Sequence, residues 1–212
     1  MPEQIWWYLA RSSGIVTLIA SGAAVIWGLL LSTRVIRRRS LPKWLLDLHR
    51  FLGAITIAFL ALHLGSLVAD NYTHFAIADL AIPWHSAWKP TAVAWGVIAA
   101  YCFIVVQATS LVRTHIPKKV WRGTHYASFP AFALALLHAA TAGTDTGNRA
   151  YVVIAFLLAI VVVFLTLVRV IASRRPKSKS PTDGGAGPSR SAGPKGSAGP
   201  SRSARPERQP VG

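Results

Sequence analysis

Apolar positions gather into five stretches, residues 14–32, 44–69, 91–112, 120–142 and 150–172. Each is long enough as an α-helix to cross the hydrocarbon core of a bilayer, which takes roughly 20 residues. Pro42 stands where the second helix would begin, in a first turn that tolerates proline. Pro117 breaks the chain ahead of the fourth. Trp6, Trp7 and Tyr8 precede the first stretch as an interfacial aromatic anchor. The pattern predicts an all-α integral membrane protein, a bundle of five transmembrane helices.

Polar residues between the stretches set the orientation. Arg34, Arg37, Arg38, Arg39 and Lys43 lie between the first and second, and Arg113, Lys118, Lys119 and Arg122 between the third and fourth. Arg174, Arg175, Lys177 and Lys179 follow the fifth. The alternate connections hold only Lys89 and Arg149 as strong bases. Basic loops stay on the cytoplasmic side, so a multi-pass cell-membrane protein is expected, with its N-terminus outside and its C-terminus cytoplasmic. The outer connection after the second stretch carries Pro83, Trp84, His85 and Trp88 and reads as a re-entrant or interfacial segment. Residues 1–173 are therefore expected to form the membrane domain. Residues 174–212, rich in Pro, Gly, Ser and basic side chains, have almost nothing to bury and read as a disordered cytoplasmic tail.

Composition agrees. Of 212 residues 52% are hydrophobic and 14% charged, and the formal charge is +16; mean hydropathy is +0.41. That charge could suggest nucleic acid, but it sits in loops and tail where topology and anionic lipid account for it, so no nucleic-acid partner is expected. The single cysteine, Cys102, excludes an internal disulfide and Cys-rich metal sites, and reads as a packing residue. The first residues lack the basic and apolar regions of a cleavable signal peptide.

Against this apolar background the histidines stand out, because ionisable groups at membrane depth are costly. His49 and His63 are both in the second stretch. Fourteen residues place them about 21 Å apart along the axis and within about 40° of one face. His125 and His138 repeat the arrangement in the fourth stretch. Topology sorts them into two levels, His49 with His125 inside and His63 with His138 outside. Paired imidazoles on facing helices in an apolar setting suit axial ligation of b-type haem, with two haems stacked about 20 Å apart between helices two and four. Thr124, Ser128 and Thr141 are candidates to hold the ring nitrogens that do not bind iron. A thirteen-residue spacing falls about 140° short of four turns, so an ideal helix four would not face both rings one way; a kink at Pro130 or a change of winding would rotate the outer half.

Other residues have weaker claims. Arg11, at the outer entrance to the first helix, reads equally as a partner for an outer propionate and as a snorkelling interfacial residue. Arg50 and Arg122 lie close in sequence to the inner histidines and read as propionate partners or as positive-inside anchors. Gln107 reads as an interhelical hydrogen-bonding group. His74, His85 and His115 fall in loops and read as ordinary surface histidines; with Asp70, Asp79 and Asp145 some of them give the outer face metal-ligand character without diagnostic spacing.

The segments LHRFLGAITIAFLALH, with His49 and His63, and THYASFPAFALALLH, with His125 and His138, resemble the ferric reductase-like transmembrane domain shared by ferric reductases and NADPH oxidases. Their fourteen- and thirteen-residue spacings match that family's bis-haem pattern. The resemblance spans roughly residues 6 to 172. It implies haem b as cofactor, pairing of His49 with His125 and His63 with His138, and a place for Arg11, in YLARSSG, near the outer haem. It implies transmembrane electron transfer from the cytoplasmic side to ferric iron, oxygen or a redox partner protein outside, an oxidoreductase role. Larger members append flavin and NADPH domains, whereas this chain has no Gly-rich dinucleotide fingerprint, so a separate flavin reductase or quinol is the expected donor. A similar stand-alone haem subunit feeds periplasmic methionine sulfoxide reductase, which offers a second expectation: a non-catalytic haem-binding subunit that anchors or feeds a separate reductase.

Overall fold

The computed structural model of the chain describes residues 3–32, 43–70, 75–143 and 147–174. Arg34, Arg37, Arg38, Arg39, His74, Asp145 and the expected tail from residue 175 lie outside the described residues. Seven helices occur among them: α1 (Glu3–Ser32), α2 (Lys43–Ala69), α3 (Ile77–Ala81), α4 (Pro90–Leu111), α5 (Lys118–Tyr126), α6 (Ser128–Ala142) and α7 (Arg149–Arg174). Within them, Gln4–Ser32, Lys43–Ala69, Pro90–Leu111 and Arg149–Ile171 are each long and apolar enough to cross a membrane. At 30 residues α1 is about 45 Å long, well beyond the hydrocarbon thickness. Trp6, Trp7 and Tyr8 are consequently part of the helix, where the sequence suggested they precede it.

The stretch expected as one fourth span is two helices meeting at Ala127. Pro130 explains the break: it has no N–H to return to the Tyr126 carbonyl, and its ring crowds that oxygen. The chain tightens instead. Ala127 N–H donates three residues back, to Thr124 O at 3.0 Å, before Ala131 N–H resumes the four-residue step to Ala127 O, also at 3.0 Å. A tightened residue turns the chain by about 120° in place of 100°, which is the direction the thirteen-residue spacing needs.

α2 packs along α1, and α5 and α6 pack along α4; α1 also meets α6 and α7. Of the three histidine-bearing elements, α2 has little direct backbone contact with α5 or α6. Two clusters fill the interior: Leu18, Val25, Leu29, Phe132 and Val162 join α1, α6 and α7, while Leu60, Ala99, Ala100, Phe103 and Ala131 lie between the two histidine levels. Trp27 Nε1 donates to Leu45 O at 2.8 Å and pins α1 to α2. The segment between α2 and α4 includes the short α3 and two non-glycine residues in left-handed conformation, Trp84 and Lys89. Lys89 turns the chain into α4 with Pro90 behind it, and its Nζ donates to Thr141 O at 2.9 Å.

Candidate functional site

The four histidines meet in two pairs, His49 of α2 with His125 of α5 and His63 of α2 with His138 of α6. The ring centres of His49 and His125 are 6.0 Å apart with planes at 67°, and those of His63 and His138 are 6.4 Å apart at 76°. A metal about 2 Å from one nitrogen of each imidazole puts each ring centre about 3 Å from it, and trans ligands then stand about 6 Å apart. Both pairs match that spacing. Among the described residues no group of three or more His, Cys, Asp or Glu side chains gathers around a common point. Two imidazoles per centre suit a planar macrocycle that brings its own in-plane ligands.

The other ring nitrogen settles which lone pair is available. His63 Nδ1 donates to the Ala10 carbonyl at 2.7 Å, and His138 Nδ1 donates to the Ala92 carbonyl at 2.8 Å. A carbonyl only accepts, so the proton sits on Nδ1 and the Nε2 lone pair is free for a metal. At the other level the bonds are looser. His125 Nδ1 is 3.4 Å from Ser110 Oγ, whose own hydroxyl donates to Val106 O at 2.7 Å. His49 Nδ1 is buried without a hydrogen bond of normal geometry. The expected acceptors Thr124, Ser128 and Thr141 take no part in these contacts; Thr124 donates within α5 and to Thr109, and Thr141 donates to Leu137 O.

Glycines make room for three of these rings. A Cβ on Gly14 would lie 3.1 Å from His63, one on Gly28 would lie 3.2 Å from His49, and one on Gly96 would lie 2.7 Å from His138 Nδ1. Sequence reasoning passed over them, although a signal was there. Gly14 and Gly28 are separated as His63 and His49 are, on the antiparallel neighbour, and Gly96 and Ser110 repeat that separation opposite His138 and His125. The hairpin α1–α2 and the hairpin of α4 with α5 and α6 are built to one plan.

A cavity of about 240 Å³ opens at the His63 level; Arg11, Gly14, His63, Asp70, Gly96 and His138 are among its lining residues. Arg11 also lies over the Trp7 ring, 4.1 Å from its centre. Of the basic candidates, Arg11 thus shares a cavity with a histidine pair. Arg50 is exposed and pairs with Asp47 at 3.2 Å, and Arg122, also exposed, interacts with Tyr126 beside Arg169. Trp121, overlooked in the sequence, stacks on His125 with ring centres 5.2 Å apart. Gln107 approaches α2 at Gly53, its Oε1 2.9 Å from where a Cβ would stand. His85 is exposed and bonded to Asp79 at 2.8 Å, and His115 is exposed and bonded to Thr114; both are loop residues.

No curated protein and no solved structure matches the chain. The family comparison runs from within α1, after Arg11, to within α6, taking in His49, His63 and His125 and ending just before His138. Residues 13–136, more than half of the chain, match the ferric reductase like transmembrane component, and the protein belongs to that family.

Proposed function

We propose that this protein carries single electrons across the membrane through two b-type haems, from a cytoplasmic donor to an acceptor on the outer face. Transmembrane domains of the family generally bind haem b, and membership supports transmembrane electron transfer as the general activity. What supports the two-haem reading is the pairing itself: two levels, each with imidazoles about 6 Å apart, and at one of them both Nδ1 atoms are committed to carbonyls. Haem bound at each level would supply reversible one-electron chemistry that no side chain here offers.

The chain's own residues hold and insulate. Ala10 and Ala92 fix the tautomer and ring orientation of the outer pair. Gly14, Gly28 and Gly96 let the ligand rings approach their neighbouring helices. Leu60, Phe103 and Ala131 keep water and polar groups out of the space between levels. Arg11 lies where it would meet a carboxylate at the outer level. Arg50 and Arg122 remain on the side assigned to the cytoplasm, where their charge anchors topology. In this reading residues 120–142 act as a fifth span made of α5 and α6, residues 1–173 form the haem domain and residues 174–212 the basic cytoplasmic tail. The donor is a flavin reductase or quinol; the acceptor is ferric iron, oxygen or a partner protein.

The test is a pyridine haemochrome assay on purified protein, followed by reduction of proteoliposomes from one side. Two haems b per chain and electrons delivered to an impermeant acceptor on the other side are expected. One haem or none per chain sinks the two-haem reading. Two haems without transfer leave the chain as a subunit that anchors or feeds a separate reductase.

A further inference from the structure

Three of the four ligand rings lie against a glycine of the neighbouring helix, and in each case the main-chain carbonyl that interacts with the ring belongs to the residue four positions earlier, by a bond to Nδ1 at His63 and His138. Ala10 precedes Gly14 at His63, Ala92 precedes Gly96 at His138, and Ala24 precedes Gly28 at His49. The fourth ring breaks the pattern. Where α4 would present a glycine to His125 it presents Ser110, and the carbonyl four positions earlier, Val106 O, is already taken by the Ser110 hydroxyl at 2.7 Å. His125 Nδ1 is left with a 3.4 Å contact to Ser110 Oγ, a hydroxyl in place of a carbonyl. Its partner His49 has no hydrogen bond of normal geometry on Nδ1. One level therefore has two short imidazole-to-carbonyl bonds, and the other has none.

That difference has a chemical consequence. An imidazole donating Nδ1–H to a strong acceptor becomes a more basic ligand through Nε2, which favours the oxidised, more positive iron. Weakening the donation favours the reduced iron. Resting on the two-haem reading above, we infer that Ser110 is a positioning residue that keeps His125 off the Val106 carbonyl, so that the inner haem has the higher one-electron potential of the two. The inner haem then holds the electron in preference to the outer one, and outward transfer gains from a membrane potential that is negative inside.

Spectroelectrochemical titration of the full-length protein in nanodiscs, followed at the haem α-band, tests this with three substitutions at Ser110 and one at His63. S110G frees Val106 O for His125 and moves the higher-potential wave down toward the lower one. S110A removes the acceptor oxygen but keeps a Cβ where the other three seats have a glycine, so that His125 still cannot close on Val106 O, and it moves the same wave further up. S110T retains a hydroxyl and leaves both waves in place. In H63A, which keeps the inner pair, the surviving wave is the higher one. The inference is overturned if S110G and S110A move the wave in the same direction, if neither moves it, or if H63A retains the lower wave. Fewer than two haems in the unmodified protein would overturn the two-haem reading and this inference together, whereas two haems whose waves ignore Ser110 overturn this inference alone.

Discussion

A methyl group on Gly96 would stand 2.7 Å from Nδ1 of His138, closer than side-chain carbons approach a neighbour. The ring cannot easily give way, because the same Nδ1 is bonded to Ala92 O on the same helix as Gly96. The glycine and the carbonyl one turn before it form a single seat for the imidazole. G96A should therefore break the bond and turn the ring, at about 1–3 kcal/mol of overpacking. The expected outcome is loss of the outer haem with the inner one retained, read as about one haem per chain in a pyridine haemochrome assay. G14A, with its contact to His63 at 3.1 Å, should produce a partial loss.

Gly123 provides the opposite case. It lies within α5, two residues before His125, yet nothing comes within 4 Å of a Cβ built there. Replacing a helical glycine by alanine without a clash removes chain freedom from the unfolded state and adds up to about 1 kcal/mol of stability. G123A should raise the thermal midpoint by a few degrees with both haem spectra unchanged. A loss of inner haem in G123A would mean that the backbone there must move to admit the cofactor.

The segment between α2 and α4 has its own pH dependence. Asp79 is held below the usual carboxylate range, first by the hydrogen bond from His85 and then by that from the Ala76 N–H. A carboxylate with a depressed folded pKa stabilises at pH above its ordinary value, about 4, and that support disappears as pH falls through the lower folded value. Amide exchange at Ala76 should be slow at neutral pH and accelerate below about pH 4, relative to amides in mid-α4. In D79A exchange there should be fast already at neutral pH, with no further change of protection on acidification.

How much could be read in advance followed from which forces act locally. The apolar stretches around α1, α2, α4 and α7 declare themselves because a bilayer demands a run of apolar side chains whatever packs against it. The pairing of His49 with His125 and of His63 with His138 was legible because spacing along a helix translates into depth. What was not legible depended on contacts between helices. The acceptors at Nδ1 are main-chain carbonyls of Ala10 and Ala92, and a carbonyl leaves no mark in residue type. The hydroxyls of Thr124, Ser128 and Thr141 are visible in a sequence, but they hold none of the four rings. Ser110, which does contact the His125 ring, is fifteen residues from it and becomes a neighbour only when α4 folds against α5.

Pro130 was legible as a kink, but the chain answers it three residues earlier, at Ala127, and the difference matters for His125 and His138. With no N–H at 130 to reach Tyr126 O, the Ala127 N–H turns to Thr124 O and the helix gains rotation between the two histidines. An alanine at 130 would supply that N–H, allow the ordinary four-residue step, and join α5 and α6 into one helix. Helix propensity alone favours the change by about 3 kcal/mol. P130A should thus leave helical content by circular dichroism unchanged or slightly higher. The straightened helix would no longer turn both rings toward α2, so one haem per chain should be lost or acquire an altered, weaker ligation visible as a high-spin signal. Two unperturbed low-spin haems in P130A would show that the rotation needed by the thirteen-residue spacing comes from elsewhere in the helix.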